Sequence, residues 1–100
     1  MTKKKKRQTI EELLTGKLLS GFRLDDEELH LRFFDAVITV DLNSYKWRFS
    51  TKKGVFVALP GLVKITRVLT DNRQILLFAG RGFRQARFAV RQDKDGWRFL

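Results

Sequence analysis

A chain of 100 residues, 43% of them hydrophobic, is long enough to close one core without metals or disulfides. With no cysteine, thiolate chemistry, disulfide staples and Cys-ligated zinc are excluded, and the single histidine, His30, cannot build a metal site alone, so no cofactor is expected. The formal net charge is +10, and residues 1–42 are balanced while the excess of Lys and Arg falls in residues 43–100, which favours a polyanionic partner.

Met1 to Gln8 holds KKKKR, a run of like charges with no apolar face to bury. It is expected to be a disordered basic arm, and residues 9–100 are expected to form a single β-rich domain. The basic start runs into Gln8, Thr9, Glu11 and Glu12 rather than into the apolar segment of a secretory signal. Thr9 followed by Glu12 has the spacing of a capping box, Ile10, Leu13 and Leu14 form an apolar set and Gly16 is placed as a stop, which predicts a short helix over Ile10 to Thr15. So short a helix must dock on the rest of the domain.

From Lys17 the hydrophobic period changes to two. Leu18 to Leu24 and Leu29 to Phe33 predict two strands joined through Asp25 to Glu28, and Val37 to Leu42 a third after a reversal at Phe34, Asp35 and Ala36. Alternation puts His30 opposite Leu29 and Leu31, hence on the solvent side of its strand. Tyr45 to Leu59 reads as a β-hairpin with Lys52, Lys53 and Gly54 at its tip. Tyr45, Trp47 and Phe49 share one face of it and Lys46 and Arg48 the other. That aromatic face serves either as the core side of an amphipathic strand or as a platform for bases; the core is expected for Trp47 and Phe49, with Tyr45 open.

Pro60-Gly61 breaks the pattern. Leu62, Ile65, Val68 and Leu69 would line one face of a helix, whereas Val63, Ile65, Thr66, Val68 and Thr70 are residues that pleated sheets favour, and a strand is expected over this segment. Ile75 to Ala79 predicts a central buried strand broken by Gly80-Arg81-Gly82, and Arg84 to Gln92 alternates again. Asp95-Gly96 signals a hairpin into a last short strand. The longest uninterrupted apolar runs, Val55 to Leu59 and Ile75 to Ala79, have five residues, against the roughly 20 of a membrane-crossing helix. The expected location is intracellular: cytoplasmic, nuclear or in a nucleoid.

LRFFDAVITVDLNSYKW and TKKGVFVALP, between Leu31 and Pro60, bear a loose resemblance to the β-ridge of the single-stranded-DNA-binding transcriptional coactivators related to the Whirly fold. The resemblance implies a nucleic-acid surface at Trp47, Arg48, Lys52 and Lys53 and a helix over Pro60 to Thr70. Residues 73–100 depart from it, reading as strands where that family ends its domain, and the chain is assigned to no family.

The expected fold is mainly β: a small antiparallel barrel or sandwich of about six to eight short strands with one N-terminal helix, the alternative being α+β with a helix near residues 60–71. The expected function is non-enzymatic binding of nucleic acid, single- or double-stranded, through phosphates. The candidate contacts are Lys46, Arg48, Lys52, Lys53, Arg81, Arg84, Arg87 and Arg91, with Tyr45 and Trp47 as candidate stacking residues. The alternative is an interaction module that docks on an acidic protein or on a second copy of itself.

Overall fold

The computed structural model describes residues 8–50, 56–81 and 84–99, with the side chains of Pro60, Arg81 and Arg84 outside that description. In chain order these form α1 (Ile10–Leu14), β1 (Leu18–Asp25), β2 (Glu28–Phe33), β3 (Val37–Asp41), β4 (Trp47–Ser50), β5 (Val57–Thr70), β6 (Gln74–Arg81), β7 (Arg84–Asp93) and β8 (Gly96–Phe99). All eight strands belong to one antiparallel sheet of order β4-β3-β2-β1-β5-β6-β7-β8.

The capping box forms as its spacing predicts. The Thr9 hydroxyl accepts from the backbone N–H of Glu12 at 3.3 Å, and the Glu12 carboxylate accepts from the backbone N–H of Thr9 at 3.4 Å. Ile10, Leu13 and Leu14 are buried. Beyond the helix, Gly16 takes φ +91° and donates its N–H to the carbonyl of Ile65, while Ile65 donates back to Lys17, which seats the helix on β5. One turn of helix is thereby held by tertiary contact, as its length requires.

Residues 60–71 are strand rather than helix, and β5 runs through Pro60-Gly61 without ending there. The pairing register explains how. Between Leu19↔Val63 and Gly21↔Ala58, β1 advances two residues while β5 advances five, so Pro60 and Gly61 lie in an irregular excursion where no regular ladder bond is asked of the proline. Gly61 takes φ +107° there. A second irregularity falls between Ile65 and Arg67. Bulges bend the strand that carries them, and this one is shared by both halves of the sheet.

The sheet curls until its β5–β8 half lies over the inner face of β1–β4. Phe22 of β1 meets Phe99 of β8 at 4.8 Å and Phe88 of β7 at 6.1 Å between ring centroids. The core between the halves includes Leu29, Leu31, Ile38 and Val40 from one side and Ile65, Val68, Ile75, Leu77 and Val90 from the other, with α1 packed into it. At one end the turns touch in sequence around the rim. Leu42 donates to the Glu27 carbonyl at 2.9 Å, the Tyr45 hydroxyl donates to the carbonyls of Asp71 at 2.5 Å and Gln74 at 2.8 Å, and Gln92 donates to the Arg73 carbonyl at 2.7 Å.

The structure corrects several expectations. The hairpin over Tyr45 to Leu59 does not form: β4 pairs with β3 and β5 with β1, so three strands separate β4 from β5 in the sheet, and the expected tip lies outside the described residues. His30 is buried rather than solvent-facing, because the outer side of β2 and β3 is also covered. Thr39 and Val37 are buried beside it, and Phe56 lies over Arg32 at 5.3 Å and Arg23 at 5.8 Å on that side. Phe49, expected in the core, is 61% exposed at the sheet's edge. β6 is central but buried on one face only: Ile75, Leu77 and Ala79 point inward while Leu76 and Phe78 are half-exposed. The implied helix over Pro60 to Thr70 is also absent; that segment is strand.

Candidate nucleic-acid interface

The outer face of β5–β8 is built by register. Residues opposite each other in an antiparallel ladder share a face, with neighbouring Cβ atoms roughly 5 Å apart. Arg67, Phe78 and Arg87 therefore form one row across β5, β6 and β7; Leu69, Leu76 and Ala89 form the next; and Gln74, Arg91 and Arg98 a third across β6, β7 and β8. Lys64 extends the face beyond the first row, opposite Gly80. The helix docks on the inner side, away from this face. Lys64, Arg67, Arg87, Arg91 and Arg98 are all exposed.

Among the described residues, the Lys and Arg ion pairs are Arg23 with Asp25, Arg48 with Glu28 and Arg98 with Asp93. Lys64, Arg67, Arg87 and Arg91 thus have no described carboxylate within 4.0 Å. Arg91 instead donates to the neutral amide oxygen of Gln74, from Nη2 at 3.2 Å and Nε at 3.4 Å, which orients the guanidinium and leaves its charge intact. Gln74 donates in turn to Asp71 at 3.1 Å. Backbone N–H bonds from Arg73, with those from Gln74, hold the Asp71 carboxyl below its usual range.

Of the residues singled out from sequence, Arg87 and Arg91 lie together on this face. Arg81 and Arg84 pair at the far end of β6 and β7, with side chains outside the description. Lys52 and Lys53 lie outside the described residues altogether. Arg48 is on the opposite edge of the sheet, held by Glu28 at 2.8 Å, and Lys46 is exposed beside the turn between β3 and β4. Tyr45 and Trp47 are engaged structurally. The Tyr45 hydroxyl clasps the β5–β6 turn, and burial followed by the nearby Asp71 carboxylate raises its pKa. The Trp47 indole donates to the Gln8 carbonyl at 2.9 Å and its ring meets Phe49 edge-on at 5.5 Å.

Lys64, Arg67 and Phe78 were not singled out. Lys64 and Arg67 are three apart, so strict alternation assigns them to opposite faces; the irregularity around Thr66 brings both to the outside. Phe78 belongs to the apolar run Ile75 to Ala79, and only the register with Arg67 and Arg87 reveals its surroundings.

Among the described residues, a buried cluster with hydrogen-bonded side chains suited to acid–base work lies elsewhere. Thr39 donates to the Ser50 hydroxyl at 3.1 Å, so the bond between His30 Nδ1 and Thr39 Oγ1, 2.9 Å, has the imidazole as donor. Burial, reinforced by Arg23, lowers the His30 pKa from its ordinary value of 6.5. Thr39 has no exposed surface, so a substrate cannot reach its hydroxyl, and the arrangement serves the packing of β2 against β3. No protein-family model, curated protein or solved structure matches the chain.

Proposed function

We propose that this protein binds nucleic acid by contacting phosphates with the outer face of β5–β8. The observation that carries the reading is the convergence of Lys64, Arg67, Arg87 and Arg91, all exposed, on one face with no described carboxylate in ion-pair range. Such a face attracts a phosphate chain and releases its counterions on contact. Half-exposed Phe78 and Leu76 and exposed Leu69 lie among these charges and supply apolar contact to sugars and bases. The basic run KKKKR near the N-terminus adds charge that favours the same partner.

The test is fluorescence anisotropy of labelled oligonucleotides at several salt concentrations. Arg67→Gln with Arg87→Gln removes two contacts, so the log–log salt slope becomes shallower by about 1.4 on single strands or about 1.8 on duplex. Arg48→Gln, on the far edge and already neutralised by Glu28, leaves the slope unchanged. Wild-type behaviour in the double variant overturns the reading. So does displacement of the oligonucleotide by polyglutamate at equal charge concentration, which would point to a partner recognised as a polyanion rather than through phosphates.

A further inference from the structure

A shallow cleft of about 260 Å³ interrupts the outer face, lined by Gln74, Leu76, Arg87, Ala89 and Arg91. Its floor is apolar. Leu76 and Ala89 are opposite each other in the β6–β7 ladder, and Ala89, only 7% exposed, is the smallest side chain of its row. Arg87 and Arg91 flank Ala89 two positions to either side along β7, roughly 14 Å apart at Cα.

We infer that the ligand of this face is single-stranded nucleic acid, with one base lying on Leu76 and Ala89 and the phosphates on either side of it gripped by Arg87 and Arg91. The inference rests on the nucleic-acid reading above and narrows it. A phosphate gains nothing from an apolar floor and would lose hydration over it, whereas the flat face of a base is suited to it. Two guanidiniums at the ends of such a floor match a strand that presents a base between charged linkages. In the next row Phe78 lies between Arg67 and Arg87, which adds a ring flanked by cations for a neighbouring base.

Duplex fits this surface less well. Four strands spaced by roughly 4.8 Å are about 14 Å across before side chains are counted. That is broader than the roughly 12 Å major groove, which admits a helix or a two-stranded ribbon. Pairing also turns the bases inward, away from the floor.

The experiment compares oligothymidylate, the same strand carrying abasic sites, and duplex of equal length for binding to the full chain. Binding is expected to be tighter to oligothymidylate than to the abasic strand, on the order of tenfold or more, at an equal salt slope. Ala89→Leu fills the cleft without altering charge and is expected to erase that preference while keeping the slope. Equal affinity for all three ligands overturns the inference, and so does a folded Ala89→Leu protein that keeps the preference; in both cases the dependence on Arg67 and Arg87 still supports the phosphate reading. Failure of every oligonucleotide to bind removes that reading and this one together. The abasic comparison uses the unaltered protein, so it decides the matter even where a variant folds poorly.

Discussion

Gly21 sits at a close approach of β1 and β5, and replacing it by alanine tests how the two halves of the sheet are joined. It pairs with Arg32 of β2 on one side and Ala58 of β5 on the other. A Cβ there would stand 3.0 Å from the Val57 carbonyl oxygen, 3.1 Å from Arg32 Nη2 and 3.3 Å from Arg32 Cζ. The arginine end can give way, although it is held by Ser20 Oγ at 3.1 Å. The carbonyl belongs to the first residue of β5 and moves only if that strand moves. Overpacking of this kind costs about 1–3 kcal/mol. In a domain of this size each kcal/mol is worth about 4–8 °C in Tm, so Gly21→Ala is expected to melt on the order of 5–20 °C below the wild type. Gly16→Ala is the comparison: its Cβ would meet nothing within 4 Å, so its penalty comes from φ +91° alone. Adding Arg32→Ala relieves only the flexible part of the crowding at Gly21. Thermal denaturation followed by circular dichroism reads all three variants. A Gly21→Ala protein as stable as the wild type would refute the close approach of β5 to β1, and with it the placement of the cationic face relative to the rest of the sheet.

Tyr45→Phe removes the hydroxyl that joins the β3–β4 and β5–β6 turns and is expected to cost about 1 kcal/mol, or 4–8 °C in Tm. Because burial raises the folded pKa of this phenol above its unfolded value of 10.0, its contribution is intact below that pH and fades above it; the alkaline loss of Tm should shrink in Tyr45→Phe. His30 behaves in the opposite sense: its folded pKa is depressed, the unfolded chain binds the proton more readily, and stability present above the unfolded value of 6.5 is lost as the pH falls through the folded value. Urea denaturation between about pH 7 and pH 5 should show this slope, and His30→Gln should flatten it. Asp93→Asn releases Arg98 from its 2.7 Å ion pair while keeping an oxygen for the Asp95 N–H, so the salt slope on single strands should steepen by about 0.7; an unchanged slope would place Arg98 outside the contact.

What the sequence made legible was local. Thr9, Glu12 and Gly16 announce the helix because capping involves residues a few positions apart, and Asp25 to Glu28 and Asp95-Gly96 announce hairpins for the same reason. Alternation places His30 opposite Leu29 and Leu31, yet that side also carries Thr39 and Val37 of β3, Arg23 of β1 and Phe56, which alternation within β2 does not reveal. The Tyr45 to Leu59 pairing failed because period and turn residues say which side chains share a face and not which strand lies alongside. β4 is held by β3, and β5 reaches instead the edge of β1, where Gly21 permits close approach. Lys64 and Arg67 were missed because one irregularity near Thr66 reverses the parity on which their assignment depends.

Turn chemistry and charge placement are the same fact in this fold. Asp41, Asp71 and Asp93 each accept, through Oδ1, the backbone N–H two residues further on, at 2.8–2.9 Å. Each thereby shapes a turn at the end where the β1–β2, β3–β4, β5–β6 and β7–β8 connections meet. Asp25 to Glu28 and Asp95 join them, so most of the chain's 11 carboxylates gather at that rim. There Asp25, Glu28 and Asp93 pair with Arg23, Arg48 and Arg98 respectively. The aspartates of the basic second part of the sequence therefore sit beside those of the balanced first part, so charge counted along the chain misplaces both signs. Carboxylates that fold hairpins at one end are not available to neutralise Lys64, Arg67 and Arg87 on the outer face. On the proposed reading, that separation leaves the cations of the outer face free to draw a polyanion towards it.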